Sequence, residues 1–555
     1  MSWLPRWLIP GLILFLAVAA FLPALRNGFV NWDDDINLLQ NPNYRGLGWA
    51  QLRWMFTDLS LGHYQPLSWA TLGLDYLVWG MNPFGYHLTS LILHGVNGAL
   101  FYFIALRLLS PAPQRGVGLR WAAAFAALFF SLHPLRVEAA AWATERRGVL
   151  AGLFFLLSLL CCLRAHEMSE GGRKRKWMIA AVVTYGMSLL SKASGIALPA
   201  VLLVLDVYPL GRLVGGVGEW FDAKNRRVWR EKAPFVLLGL AAVALAFMAG
   251  EKAEAIKGRG EYGMVIAIAQ PLFGLTFYLW KTLIPAGLSP LYAVVSDAVP
   301  AYWPFQPSQE AIIVLSIIVA LGVTLALFLL RRRWPAGLAA WICYIALLAP
   351  VLGIVQIGGQ IVADRYSYLP SLSWAMLAGG WLLHVWQSGG VGRIGKRGSS
   401  AIAITVLVTL AALTWRQTQV WHDPVRLWSH ALAVIRESDV ARNNLGVGLY
   451  EAGETEKAIE QFERVVDMDP GNTHYRDNLV KVLVGLGGER AGRGELDEAI
   501  RYLSRALEVD NSDAEAHESL GRALAQQGKK GEAAQHYQEA LRLLRSGRAG
   551  AAPGK

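Results

Sequence analysis

The chain has 555 residues, of which 54% are hydrophobic and 17% are charged, and it carries 22 Trp and a net charge of +11. Soluble proteins average about 25% charged residues, so this composition argues against an ordinary soluble enzyme and favours a membrane protein over a nucleic-acid binder. The three cysteines lie inside apolar runs without metal-ligand spacing, which excludes disulfide-rich and structural-zinc classes: Cys161, Cys162 and Cys343.

The positive charge is unevenly distributed along the chain. From Trp421 to the end there are 18 Lys and Arg against 22 Asp and Glu, a net charge of −4, so the first 420 residues carry +15. The basic excess therefore belongs to the apolar part, and the C-terminal part is expected to be an acidic soluble domain.

Twelve apolar segments follow one another, each near the ~20 residues that a membrane-spanning helix needs. The first has no small-residue cleavage site before Arg26, so it is predicted to be a retained span and not a removed signal peptide. The segments cover residues 7–25, 86–107, 119–135, 148–164, 177–190, 195–210, 234–249, 264–284, 311–330, 336–357, 368–388 and 399–415.

Basic loops predict the orientation, because Lys and Arg beside spans are retained in the cytoplasm. The loops placed inside are 173–176, 224–232, 331–333 and 393–397. The stretches placed outside are 26–85, 136–147, 250–263 and 285–310. The last two cannot both be outside if 264–284 crosses once, and Pro271 and Lys281 interrupt that segment. A re-entrant or interfacial element is preferred there, which leaves about eleven spans, the N-terminus inside and the C-terminal domain outside.

A repeat of 34 residues appears after Trp415 and predicts a tetratricopeptide-repeat solenoid of about three repeats over 421–546. Three columns agree: Leu445, Leu479 and Leu520; Ala458, Ala499 and Ala533; Phe462, Leu503 and Tyr537. Seven additional residues are predicted to expand the loop between the helices of the middle repeat, in the stretch 485–494. Residues 547–555 are predicted to form a disordered tail.

An acidic cluster opens the first outer stretch, where Asp33, Asp34 and Asp35 follow Trp32. Ionisable residues in a membrane domain are costly and are functional candidates. Adjacent carboxylates repel one another, so the cluster could activate a hydroxyl as a general base or hold a divalent cation such as Mg²⁺ or Mn²⁺ through Asp33 and Asp35. The alternative is a solvated acidic loop that marks the non-cytoplasmic side.

Further polar side chains are candidate contacts for a sugar or an acceptor: Trp32, His63, His87 and His133. Aromatic residues in this loop also suit interfacial anchors. His87, His94 and Asn97 share one helical face, and histidines satisfied by a neighbouring helix are the plainer alternative.

Outer-side arginines oppose the positive-inside trend and suggest a bound anion such as a lipid phosphate. Arg146 and Arg147 follow Glu145, so a Glu–Arg pair within the loop explains them nearly as well. Arg365 with Tyr366 could hold a phosphate, or Asp364–Arg365 could be a local salt bridge. Lys192 and Lys281 are weaker candidates of the same kind. No Walker, HExxH, GxSxG or CxxC pattern occurs, and the basic loops need no nucleic acid.

Several local strings resemble one known family. They are residues 28–35 (GFVNWDDD), 82–94, 133–138 (HPLRVE) with Trp142, Glu145 and Arg146, 281–292 and 363–370 (ADRYSYLP). These strings, with the repeats that close the chain, resemble the transmembrane and tetratricopeptide-repeat-containing O-mannosyltransferases and their bacterial relatives, in the GT-C glycosyltransferase superfamily. The resemblance covers essentially the whole chain and implies an all-α protein, with a polytopic GT-C-like domain over 1–420 followed by the repeat domain.

The resemblance also implies an activity: transfer of a sugar, with mannose as one candidate, from a polyprenyl-phosphate-linked donor to an acceptor hydroxyl on the non-cytoplasmic face. The general base is then Asp34, with Asp33 or Asp35 as alternatives, and Glu138 is a second acid. Arg365, with Arg146 or Lys281 and Tyr366, would bind the donor phosphate.

The implied partners are this lipid-linked donor, membrane lipid, and a protein or peptide acceptor that the repeat domain recruits through Ser or Thr. The implied location is a bacterial inner membrane with the repeats in the periplasm. A non-catalytic membrane-anchored repeat scaffold is the competing function. A transporter is a weaker alternative, because the charges lie at the ends of spans and not at the midplane.

Overall fold

The computed structural model describes residues 7–59, 62–109, 116–252, 264–295, 299, 301–302, 304–352, 360–388 and 393–550, and the regular structure within these ranges is entirely helical. The chain divides into two compact units. Unit 1 comprises Met1–Asp423 and Ala433–Ile435, and unit 2 comprises Pro424–Leu432 and Arg436–Lys555.

Unit 1 contains fifteen described α-helices joined by short 3-10 turns. They are α1 (Leu8–Ala20), α2 (Trp49–Thr57), α3 (Pro66–Trp79), α4 (Pro83–Leu108), α5 (Val117–Ser131), α6 (Val137–Ala141), α7 (Arg146–His166), α8 (Gly172–Ser191), α9 (Leu198–Val207), α10 (Arg226–Lys252), α11 (Met264–Leu283), α12 (Gln309–Leu329), α13 (Pro335–Leu348), α14 (Ser371–Gln387) and α15 (Arg393–Val420).

Five of the described helices are long and apolar enough to cross a membrane, namely α4, α7, α10, α12 and α15. A sixth crossing arises if α5 and the bent segment Pro134–Ala141 form one broken span. These helices are the mark of a multi-pass membrane protein. The span predicted at 195–210 is instead the ten-residue helix α9, which rises only about 15 Å. The total of about eleven spans, and the re-entrant path of α11, stay predictions, and residues 253–263 lie outside the described part.

Small residues bring the central helices close together. On α5, Ala122, Ala123, Ala126 and Ala127 are all buried. A Cβ added at Gly379 of α14 would lie 2.8 Å from the Ala122 carbonyl oxygen, so this contact requires glycine. Close approach through small residues is how membrane helices associate where lipid removes the usual hydrophobic drive.

The first outer stretch is folded against the membrane helices. It contains α2 and α3, and its start is fastened at three points. The Asn27 side-chain amide donates to the Thr418 carbonyl oxygen (3.2 Å), the Gly28 N–H donates to the His422 carbonyl oxygen (2.8 Å), and a His87 ring nitrogen bonds the Gly28 carbonyl oxygen (3.3 Å). These bonds set the position of the acidic cluster that follows.

Unit 2 is a solenoid of paired helices. Its helices are α16 (Pro424–Val434), α17 (Asp439–Glu451), α18 (Thr455–Met468), α19 (Thr473–Gly492), α20 (Leu496–Val509), α21 (Ala514–Gln526) and α22 (Lys530–Gly550). Side chains of Ser438, Asn472 and Asp513 cap the first helix of each pair, as these residue types commonly do. Of the predicted tail, residues 547–550 belong to α22, and residues 551–555 lie outside the described part.

The seven additional residues of the middle repeat lie inside a helix, which corrects the predicted expanded loop. α19 has 20 residues, whereas α17 and α21 have 13 each. In each pair a glycine of the first helix faces a large side chain of the second: Gly446 faces Phe462, Gly487 faces Leu503 and Gly521 faces Tyr537. Leu486, beside Gly487, therefore corresponds to Leu445, and the equivalence predicted with Leu479 was one heptad too early.

Candidate functional site

The three adjacent aspartates lie in different environments. Asp33 is exposed and has a left-handed backbone with φ of 66°. Asp34 is 1% exposed, and Asp35 is half-buried at the start of a short π-helical turn. A left-handed non-glycine residue costs about 1–3 kcal/mol and is concentrated at functional sites. The turn at Asp33 thus separates the carboxylates instead of stacking them.

Asp34 is the carboxylate that the fold encloses. One oxygen accepts from the Thr144 backbone N–H (2.9 Å) and the Thr144 hydroxyl (2.6 Å), and the other accepts from the Val30 N–H (3.1 Å). Burial raises the pKa of Asp34 to about 7, although these three hydrogen bonds oppose the rise. A carboxyl with a pKa near neutrality can take up and release a proton under physiological conditions.

The short connection before α7 organises the surroundings of Asp34. Next to Thr144, Glu145 is fully buried and pairs with Lys192 and with Arg147 (3.1 Å). Burial alone would raise the pKa of Glu145, but the two cations lower it to about 2, and burial lowers the pKa of Lys192 to about 8. Glu145 is therefore an ionised carboxylate whose charge is already balanced.

Arg365 reaches the same region from the turn before α14. Its guanidinium pairs with Glu138 and donates to the side-chain oxygen of Gln360 (2.7 Å), while its backbone N–H donates to the second Glu138 oxygen (2.6 Å). The guanidinium also lies over the rings of Trp142, 5.4 Å from the centroid, and half-buried Tyr366, 4.9 Å from the centroid. The predicted local Asp364–Arg365 salt bridge is wrong, since Arg365 pairs with Glu138.

Asp364 faces two other cations. Its carboxylate accepts from the Tyr292 hydroxyl (3.2 Å) and interacts electrostatically with Lys281 and Arg136. Lys281 is fully buried and donates to the Ala286 carbonyl oxygen (2.8 Å). Arg136 is also fully buried and donates to the Ser367 hydroxyl (2.7 Å), but its Nε and one terminal nitrogen have no hydrogen-bond partner among the described residues.

Together these residues form a buried charge cluster with more cations than anions. Its members are Arg136, Glu138, Glu145, Arg147, Lys192, Lys281, Asp364 and Arg365, of which Lys192 and Arg365 are partly exposed and the others are buried. Five cations against three carboxylates leave a net charge of +2 when every group is ionised. Uncompensated buried charge is costly, so the cluster favours binding of an anion.

Arg146 does not contribute to the cluster, which corrects its predicted contact with a donor phosphate. Its side chain is fully buried and pairs with Asp75, and it also donates to the Tyr86 carbonyl oxygen and the Ser90 hydroxyl. These partners occupy the guanidinium within the helix packing. The predicted Glu–Arg pair within the loop is correct for Arg147 alone.

Two predicted sugar contacts fasten elements of the fold. In His133 one ring nitrogen accepts from the Leu135 N–H (3.2 Å) and the other bonds the Thr282 carbonyl oxygen (3.1 Å). His87 is buried and bonds Gly28. Both ring nitrogens of His133 are thus used internally, whereas Nδ1 of His87 is buried and has no hydrogen-bond partner among the described residues. His94 is satisfied by Tyr368 (2.8 Å) and Ser131 (3.0 Å).

His63 and Trp32 remain candidate contacts. His63 is partly exposed and adjoins the buried charge cluster, where burial, Arg147 and Lys192 lower its pKa to about 3. Its imidazole is therefore neutral. Trp32 is half-buried beside the exposed Asp33.

No group of three or more His, Cys, Asp or Glu in the described ranges is arranged to hold a metal ion. Asp33 and Asp35 point to different environments, as their unequal exposure shows. A third protein ligand beside them would have to come from outside these ranges or from the acceptor.

Sequence reasoning did not select Thr144 or Arg136. Thr144 has no signal of its own, because its role depends on a partner 110 residues away. Arg136 stands inside the string HPLRVE, and its position next to a predicted span entrance on the outer side was a usable signal.

Several known proteins are similar to this chain. The tetratricopeptide repeat family matches residues 485–551, which confirms the predicted solenoid. Protein O-mannosyl-transferase TMTC3 of Mus musculus is 23% identical over 460 residues, 79% of this chain and 48% of that protein. Protein O-mannosyl-transferase TMTC2 of Homo sapiens is 35% identical over 152 residues, 27% of this chain and 17% of that protein. The predicted family resemblance is confirmed.

The chain spans about half the length of these protein O-mannosyl-transferases, or less. Among solved structures, the Archaeoglobus fulgidus oligosaccharyltransferase in complex with Zn and sulfate has a TM-score of 0.37 at 10% identity, covering 80% of this chain and 56% of that chain. ArnT from Cupriavidus metallidurans bound to undecaprenyl phosphate has a TM-score of 0.35 at 13% identity, covering 83% and 81%.

Proposed function

We propose that this chain is an integral-membrane glycosyltransferase that moves a sugar, mannose, from a polyprenyl-phosphate-linked donor to an acceptor hydroxyl on the non-cytoplasmic face. The observation that carries the proposal is the buried charge cluster with its net charge of +2. Its member Glu145 directly follows Thr144, whose side chain holds Asp34. The names of the O-mannosyl-transferase relatives support the sugar and the reaction type.

The reaction is a single displacement. The acceptor oxygen bonds to the anomeric carbon while the bond between that carbon and the phosphate oxygen breaks. Asp34 takes the proton of the hydroxyl, because its pKa of about 7 lets an appreciable fraction be ionised at neutral pH. Oδ2 of Asp34 accepts one hydrogen bond, from the Val30 N–H. Its second lone pair accepts the proton of the acceptor hydroxyl.

The leaving group is polyprenyl phosphate, which gains negative charge as the bond breaks. Arg365 and Lys281 offset that charge, and Lys192 and Arg147 take the place that Arg146 was predicted to fill. Preorganised cations act strongly in a water-excluded site because they need no reorganisation at the moment of reaction. Glu138 keeps Arg365 in place through two hydrogen bonds.

Unit 2 recruits the acceptor, a protein or peptide whose Ser or Thr is modified, as repeat solenoids bind extended partners. A Mg²⁺ or Mn²⁺ would be held by Asp33 and Asp35 together with a further ligand from the acceptor, and addition of EDTA tests for it. We place the protein in a bacterial inner membrane, with its N-terminus in the cytoplasm and unit 2 in the periplasm.

The donor class is tested with the purified full-length protein. Transfer to a Ser/Thr peptide is expected from mannosyl-phosphoryl-polyprenol and not from GDP-mannose. Lys281→Met removes a cation that contacts the phosphate and is expected to raise the KM for the lipid donor about 10-fold or more. Lys232→Met is the matched control, because Lys232 is a buried lysine paired with Asp206 outside the cluster. Transfer from neither donor, with a partner bound by unit 2, would support the scaffold function.

A further inference from the structure

A groove runs along the surface of unit 1 between α8 and α10, outside the buried charge cluster. It has a volume of about 750 Å³. The charged residues at one end lie in the first turn of α8 or just before it, and in the first two turns of α10: Glu170, Lys174, Arg175, Arg227, Arg230 and Glu231. Further along, its walls are apolar and include Ile179, Val182 and Val183. The charged end of the groove is called the mouth below, and the rest of the groove has apolar walls.

The mouth carries a cationic excess. Glu170 pairs with Lys174 (3.0 Å) and with Arg227, and Glu231 pairs with Lys174 (3.5 Å) and Arg227 (3.3 Å). Both carboxylates are thus neutralised. Arg175 and Arg230 are exposed and have no carboxylate partner among the residues that the structure describes.

The helix ends add to this positive potential. Neither α8 nor α10 has an acidic residue in its first turn, and Gly171 gives α8 no side-chain cap. The unpaired N–H groups of a first turn and the helix dipole attract negative charge. The two arginines therefore face the groove together with an uncompensated helix N-terminus.

The apolar part has the dimensions of a lipid chain contact. Val183 lies nine residues beyond Lys174, which corresponds to about 14 Å along α8. Ile179 is 53% exposed and Val183 is 56% exposed, as expected for side chains that face acyl chains. A soluble anion would use the mouth alone and leave these walls uncovered.

We propose that this groove binds an anionic phospholipid. The phosphodiester lies at Arg175, Arg230 and the first turn of α8, and an acyl chain lies along Ile179 and Val183. A zwitterionic lipid fits poorly, because Glu170 and Glu231 are already paired and offer nothing to its cationic head group. The mouth belongs to the basic loops predicted to be cytoplasmic, where anionic lipids attract Lys and Arg.

The test uses full-length protein in nanodiscs of equal phosphatidylglycerol and phosphatidylcholine, with retained lipid counted by native mass spectrometry. Wild type is expected to retain phosphatidylglycerol in preference to phosphatidylcholine. Arg175→Ala with Arg230→Ala is expected to lower the retention of phosphatidylglycerol about 10-fold. The control is Arg332→Ala with Arg333→Ala, which removes two exposed arginines from another basic loop and is expected to leave retention unchanged.

A second variant separates the groove from surface charge. Ile179→Trp keeps every cation but fills the apolar wall, and it is expected to lower retention of phosphatidylglycerol as well. All substituted residues are partly or fully exposed, so folding should be preserved and is checked by circular dichroism. Equal loss in the Arg332/Arg333 variant, normal retention in Ile179→Trp, or equal retention of the two lipids by wild type would each overturn the proposal.

Discussion

Asp34 and Thr144 meet through a hydroxyl–carboxylate hydrogen bond of 2.6 Å, in a place where water is excluded. The bond stabilises the ionised carboxylate and so works against the burial that raises its pKa. Burial is the main cause of the raised pKa of Asp34, and the Thr144 hydroxyl is the strongest of the contacts that lower it. Thr144 is a positioning residue, and its effect should be visible as a pH dependence.

We predict that Thr144→Val moves the acidic limb of the pH–rate profile to higher pH. Loss of a hydrogen bond to the charged form raises the pKa of Asp34 above about 7, by about one to two units for a charge-assisted bond. The rate at pH 7 then falls and recovers at alkaline pH. The matched control is Thr414→Val in α15, which removes a buried hydroxyl that donates to the Leu132 carbonyl oxygen (2.7 Å). A Thr144→Val profile that only scales down, without a shift, contradicts this role.

For single residues, the sequence indicates which residue types form the candidate site better than it indicates which partners they contact. Asp33, Asp34 and Asp35 are adjacent, and nothing in their order says which one the fold encloses. The structure shows that it is Asp34, which the Thr144 and Val30 groups hold. In the same way Arg146 and Arg147 are neighbours, but helical geometry at the start of α7 turns one towards Asp75 and the other towards Glu145.

The connection before α7 is the element that assembles the site. Within six residues it supplies Trp142 to Arg365, Thr144 to Asp34, and Glu145 to Lys192. Successive side chains of this short irregular segment therefore contact partners from three different parts of the chain. The family resemblance includes Trp142 and Glu145 of this segment, but it does not predict the contacts that they make.

The solenoid shows how an insertion is accommodated without loss of register. Seven residues are close to two turns of α-helix, so the lengthened α19 presents the same face to α20. The column of alanines and large residues was predictable, because the second helices keep their spacing. The insertion was misplaced because Leu479 and Leu486 are one heptad apart and look equally suitable.

We predict opposite effects for two adjacent glycines of α19. A Cβ at Gly487 would lie 2.6 Å from Leu503, whereas at Gly488 it would meet nothing within 4 Å. Gly487→Ala should therefore destabilise unit 2 by about 1–3 kcal/mol, and Gly488→Ala should stabilise it by about 0.5–1 kcal/mol. Limited proteolysis of the full-length protein across a urea series measures both midpoints. A similar response in the two variants would show that the close pairing with α20 is wrong.

For the whole molecule, the charge distribution separates three roles that the net value of +11 conceals. Basic loops are expected to orient the spans, the buried charge cluster has a net charge of +2 that would face the proposed donor, and unit 2 is acidic. The all-α fold and the repeats were predictable, because hydropathy and periodicity are local properties of the sequence. The buried charge cluster was not, since it draws residues from positions 136 to 365 that only the folded chain brings together.

The central claim is that Asp34 is the proton acceptor in sugar transfer from a lipid-phosphate donor bound by the cluster. The most direct measurement compares Asp34→Asn with wild type in donor binding and in turnover, on the same purified full-length protein. The account predicts an unchanged Kd for mannosyl-phosphoryl-polyprenol and a transfer rate lowered at least about 100-fold. Transfer at the wild-type rate, or loss of donor binding in step with transfer, would contradict it.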